Sequence, residues 1–215
     1  MSLERALAID PDHTEGCLLY GRLLEALGRI EEGLLAKQKA LERNPSSAAV
    51  HLQIALSYWN LRRYDDMIAW ATRSIELDPQ HLLAREFIAG AYLKRGDLDR
   101  HMTEVLAHAK AAGAPAQLID ELRKVYASEG RPGVVRYALR INSSSSGSSS
   151  SSPSPVQMAL LFAEAGDLDQ AFDHLDAAIA RHDPSLVHLA VAPQWDDLRA
   201  DPRFDERLKR MGLIA

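Results

Sequence analysis

Imidazoles, carboxylates and one thiol are the groups in this chain able to do chemistry, and their spacing sets what each can do. Eight histidines, His13, His51, His81, His101, His108, His174, His182 and His188, are the raw material of a metal site. A helix presents two ligands to one ion at i and i+4, and no pair of these has that spacing. His101 and His108 share a helix face but stand two turns apart, too far for one ion without ligands from elsewhere. The neighbouring carboxylates Glu31 and Glu32, Asp65 and Asp66, and Asp196 and Asp197 point to different sides of a helix, and read as solvated faces or helix-start charges rather than an acid–base dyad. Cys17 is the single cysteine. It can close no intrachain disulfide and lies near an apolar stripe, so it reads as a packed thiol. No phosphate-cradling glycine loop, nucleophile elbow or His-Glu zinc helix is present. The expectation is a chain without catalytic residues, metal or cofactor.

Composition agrees with a folded chain of another kind. The 215 residues are 47% apolar and 26% charged, with a net charge of -5. Lys and Arg are scattered among carboxylates rather than gathered in a stripe, which argues against nucleic acid as a partner. No apolar run has the length of a signal peptide or a membrane span, so the chain reads as cytoplasmic and soluble.

The helices beneath any functional surface announce themselves by period. Proline returns at Pro11, Pro45 and Pro79, at one constant step, and other columns keep that step. Tyr20, Ile54, Ile88 and Leu122 are bulky, and Gly21, Ala55 and Ala89 after them are small. Leu24, Tyr58, Tyr92 and Tyr126 form a third column, and Ile30, Tyr64 and Leu98 a fourth. A helix-turn-helix unit accounts for all of them: bulky residues at helical spacing make an apolar face, and the small residue lets the second helix approach the first. Gly28, Gly96 and Gly130 mark the turn inside each unit, because glycine takes the left-handed conformation that ends a helix. Asp10, Asn44 and Asp78 precede the prolines, which start the connection to the next unit.

These residues resemble the tetratricopeptide repeat family in period, small-residue column and terminal Asp-Pro. The resemblance implies an all-α fold, a right-handed superhelix or α-solenoid of helix-turn-helix repeats. Repeat one covers Thr14 to Ser47, repeat two Ala48 to His81, and repeat three Leu82 to about Pro115. In the third, His101 and His108 stand where that family has alanine, and Gly113 replaces the seam proline. A fourth, degenerate pair from Ala116 to about Ile141 keeps Leu122, Tyr126 and Gly130, with Arg123 in the small-residue place and Pro132 opening a short second helix. A fifth, Val156 to His182, carries Met158, Ala159 and Phe162, then "AGDLDQAF" and finally Leu175 and Ala178. The domain reading is a repeat array over 1–141, a serine-rich linker over 142–155, and a further pair with a helical cap over 156–215.

Two irregularities interrupt the array. Residues 2–9 align Ala6 and Leu7 with Ala40 and Leu41, the second helix of a unit whose first helix the chain lacks. That reads as a fragment of a longer protein or as a lone capping helix, and it predicts self-association through an open N-terminal repeat. The tract "SSSSGSSSSS" from Ser143 to Ser152 has no apolar residue to bury and reads as a flexible spacer, with a phosphorylated switch as the alternative. Its span of roughly 18 Å lets the fifth pair stack on the fourth or detach; stacking is expected, because a lone helix pair is a marginal core.

From Asp183 the repeat pattern ends. Pro193 opens a short helix through Leu198 without a side-chain cap from Ala192, and Asp201 caps a last helix from Pro202. Trp195, Leu198, Phe204, Leu208 and Met211 supply the apolar face of this cap. Trp195, Asp196, Leu198, Arg199, Asp201, Pro202, Arg203 and Phe204, with "RMGL" at 210–213, resemble an ending that follows tetratricopeptide repeats in bacterial winged-helix transcription regulators, adenylate cyclases and Ser/Thr kinases. That likeness implies a sensory or regulatory domain of such a protein.

In the repeat family the first helix of each pair lines a concave groove. Carried onto this sequence, the groove positions are Leu18, Arg22 and Glu25; Leu52, Leu56 and Trp59; Glu86, Leu93 and Lys94; and, if the stack continues, Val156 and Leu160. The Lys and Asn that clamp a C-terminal carboxylate in chaperone-binding relatives are absent at the matching places. A groove with Leu52, Leu56, Trp59 and Leu93 suits an apolar or helical segment, with Arg22 and Lys94 fixing register. Packing against neighbouring repeats is the competing role for Leu52 and Leu56. The functional expectation is a non-catalytic scaffold that binds a peptide, a helix or a partner domain.

Overall fold

A computed structural model of the chain describes residues 13–144 and 154–214. The readings of Pro11, residues 2–9 and the serine tract from residue 145 lie outside the described residues. The described residues are all-α, and the chain divides into two compact units, Met1–Ala114 and Pro115–Ala215.

The first unit holds three antiparallel pairs: α1 (Thr14–Ala26) with α2 (Ile30–Arg43), α3 (Ala48–Asn60) with α4 (Tyr64–Leu77), and α5 (Leu82–Lys94) with α6 (Leu98–Ala111). Each second helix packs on the first helix of the next pair, α2 on α3 and α4 on α5. The turns inside the pairs follow the glycine column. Gly28 and Gly96 have φ of 79° and 75°, and Arg62, in the same column, is held at 58°. A side chain with a Cβ is strained there, so Arg62→Gly is expected to raise the stability of the first unit by about 0.5–1 kcal/mol. Thermal melting of the two proteins checks it. At the seams the hydroxyl of Ser47 accepts from Val50 N at 3.3 Å, and Asp78 Oδ1 accepts from Gln80 N at 3.1 Å, so the exposed Pro45 and Pro79 sit in closed connections.

The small-residue columns work as close-approach points. A Cβ on Gly21 would lie 2.7 Å from the Gly33 carbonyl oxygen, and one on Gly33 2.6 Å from that of Gly21, so α1 and α2 cross backbone to backbone. Histidines fill two later small-residue positions by bonding the facing helix. His101 Nδ1 donates to the Ala89 carbonyl at 2.8 Å and His108 Nδ1 to that of Leu82 at 3.2 Å. Ser74, one repeat before His108, donates likewise to Ala48 O at 2.8 Å. Polar replacements in these columns therefore carry their own hydrogen bond.

The second unit starts with a long helical run, α7 (Ala116–Ser144), broken at Gly130 (φ 64°, ψ -160°) ahead of Pro132. The break makes the fourth pair, closed where Tyr137 OH donates to Glu121 Oε2 at 2.5 Å. Next come α8 (Pro155–Ala165), started by a capping box of Ser154 and Gln157, and α9 (Leu168–Ala180), capped by Asp167. The fifth pair does pack on α7, and Arg131 grips Glu164 of α8 through two bonds of 2.5 and 2.6 Å. Two 3₁₀ turns (Pro184–His188 and Pro193–Trp195), α10 (Asp196–Arg199) and α11 (Pro202–Arg210) then close over the fifth pair. Trp195, Leu198 and Phe204 are wholly buried in one core with Phe172 and Leu175.

Asp201 caps α11, accepting from Arg203 N at 2.9 Å, and its carboxylate pairs with the Arg203 guanidinium. The Arg203 side chain and then its amide hold the Asp201 carboxyl below the usual range. A depressed carboxylate stabilises the fold above its unfolded-chain value, and that contribution fades as pH falls through the lower folded value. Asp201→Asn is therefore expected to flatten the loss of stability below about pH 4, read as a smaller drop in melting temperature between neutral and acid buffer.

Candidate interaction surface

The nine groove positions of the first unit fall into two groups. Arg22 and Glu86 are exposed, and Leu18, Leu56, Leu93 and Lys94 are half-buried. Leu18 leans on the core between pairs one and two and Leu56 on the core between pairs two and three, each with an edge in solvent. Glu25, Leu52 and Trp59 are instead 0%, 2% and 4% exposed and are spent on packing. Val156 is buried and Leu160 half-buried in the core of the second unit.

Trp59 is held from three sides. Its ring meets Tyr64 at 5.6 Å and Phe87 at 5.5 Å, both edge-on, and a Cβ on Gly90 would come within 3.2 Å of it. It thus joins α3 to α4 and α5. First helices of successive pairs are accordingly neighbours, which places their outer faces side by side in the first unit.

Glu25 lies in a cluster that sequence reasoning missed. Its Oε1 accepts from Lys37 Nζ at 2.7 Å and from the Ser57 hydroxyl, and its Oε2 accepts from Asn60 Nδ2 at 3.3 Å. Lys37 Nζ also donates to the Gln53 carbonyl at 2.9 Å and to Ser57 Oγ at 3.1 Å. Glu25, Lys37 and Ser57 are all at 0% exposure. Burial pushes the Lys37 ammonium below its ordinary value against the pull of Glu25, and the nearby Arg22 adds to the depression. The available signal was a charge in two apolar columns at once: Glu25 shares its column with Trp59 and Leu93, and Lys37 with Ala71 and Val105.

Among the described residues no group of three or more His, Cys, Asp or Glu side chains is placed to hold a metal ion. No helix among them is long and apolar enough to cross a membrane.

The second pair carries the family resemblance. Its whole length, residues 48–81, matches the family model of the tetratricopeptide repeat. The described residues on both sides of it continue the all-α pattern of packed helix pairs. Among solved structures the chain is similar to the crystal structure of MamA, with 14% identity over 85% of this chain and 86% of that one and a TM-score of 0.47. A MamA mutant is similar at 23% identity over 54% and 64% of the two chains, with a TM-score of 0.45. A third structure, Naa15/Naa10 bound to HypK-THB, has a chain similar at 17% identity and a TM-score of 0.48; the match covers 97% of this chain and 32% of that one. No curated protein matches the chain.

Proposed function

We propose that this chain is a non-catalytic protein-interaction scaffold, and that the outer face of its first helices α1, α3 and α5 takes an apolar segment of a partner protein. The observation that supports the reading is the residue content of that face once packing is subtracted. Leu18, Leu56 and Leu93 keep apolar edges in reach of solvent, flanked by Arg22, Glu86 and Lys94. Apolar edges give affinity and flanking charges give register, so the fitting ligand is an amphipathic segment carrying both carboxylates and a basic residue. Glu25, Leu52 and Trp59 support this face from beneath. Of the C-terminal residues that resemble the ending of bacterial regulators, Trp195, Leu198 and Phe204 are fully buried in the cap core, and this packing role does not favour the regulatory-domain reading.

The test is selection of binders from a random peptide library against the full chain, followed by affinity measurement on Leu56→Asp. A charge placed on a half-buried apolar edge of the contact is expected to weaken the selected peptides by about 10-fold or more. The control is Leu35→Asp on α2, where Leu35 is 61% exposed. Equal affinity for wild type and Leu56→Asp, or loss only with the control, contradicts the assigned face.

A further inference from the structure

Five columns shared by the two joints of the first unit carry opposite chemistry. At the joint of pairs one and two the columns hold Gly21, Glu25, Gly33, Lys37 and Ser57; one repeat further on they hold Ala55, Trp59, Met67, Ala71 and Ala91. The second set is an apolar core, with Met67, Ala71 and Ala91 at 0% exposure. The first is a buried ion pair with a hydroxyl and an amide around it, set beside the apolar cluster of Cys17, Leu34, Ala40, Val50 and Ile54. Its glycines are fitted to it. A Cβ on Gly21 would lie 2.8 Å from Lys37 Cγ and one on Gly33 2.7 Å from Glu25 Cγ, so each glycine makes the room through which a charged side chain passes.

We propose that the Glu25–Lys37–Ser57–Asn60 cluster is a latch that makes this joint the opening point of the first unit. α1 and α2 leave α3 as one body while α3 to α6 stay joined. Attraction within a buried ion pair roughly balances the hydration both charges gave up, so the pair adds little net hold where apolar contacts would add much. Opening returns water to Glu25 and Lys37 together, whereas the second joint gains no such compensation when Trp59 and Met67 are uncovered. In a repeat array each interface contributes its own term, and the weakest one sets where the array parts.

The experiment is native-state hydrogen exchange on the full chain, read by mass spectrometry for wild type, Glu25→Leu, Lys37→Met and the double variant. In wild type the amides of α1 and α2 exchange together, about 10-fold or more faster than those of α4 and α5. Fraying of the first pair alone would look the same, so the variants decide. Each single substitution strands one charge in the interior and speeds exchange of α1 and α2 by about 10-fold or more; a single variant whose first pair does not fold counts as the same result. The double variant replaces the pair by apolar side chains and slows that exchange about 10-fold relative to wild type, with α5 and α6 unchanged. Exchange in the double variant as fast as wild type or faster overturns the latch, as do single variants indistinguishable from wild type.

Discussion

Trp195→Ala is expected to lower the stability of the second unit by about 3–5 kcal/mol. The ring is at 0% exposure and shares one core with Phe172, Leu175, Leu186, Leu189, Leu198 and Phe204, contributed by α9, the cap turns, α10 and α11. Truncation leaves a cavity bounded by short elements. The two 3₁₀ turns and the four-residue α10 have few backbone bonds of their own, so side-chain packing holds them down. Denaturant unfolding followed by circular dichroism should show the midpoint of the second unit falling with its slope unchanged. A loss below about 1 kcal/mol would mean that the cap is not what seals the fifth pair.

Trp59→Ala is expected to cost the first unit a similar amount, about 3–5 kcal/mol. Its edge-on contacts to Tyr64 and Phe87 and its seat against Gly90 tie α3 to both α4 and α5. The joint between pairs two and three should then loosen, read as faster hydrogen exchange in α4 and α5 and a lower melting temperature. A stability equal to wild type would place the ring outside the core. Binding lost through this substitution is consequently a loss of folded unit, and Leu56 and Arg22 are the cleaner probes of the face above it.

The repeat was legible because size and period are properties of residues in order. Bulky, small and left-handed positions recur at one fixed step, and the helix pairs follow from them without knowledge of any neighbour. Which side of a first helix is covered by the next pair is a different question. For Trp59 the deciding residue is Gly90, on the first helix of the next pair, whose missing side chain is the seat of the ring. Glu25 was misplaced for a related reason: a carboxylate in a groove-facing column looks solvated until Lys37, on the opposite helix, is seen to sit in an apolar column. His101 and His108 looked like defects of the third repeat. Their bonds to Ala89 O and Leu82 O belong to a helix crossing, which no linear spacing displays. The Asp201 cap, by contrast, is local in sequence and was readable as such.

Leucine-methyl NMR of the full chain titrated with a selected peptide reads out where a partner docks. Shifts are expected at Leu18, Leu56 and Leu93 on the first helices, with the exposed Leu35 and Leu98 on the second helices unmoved. Shifts confined to Leu35 and Leu98 would contradict the assigned face.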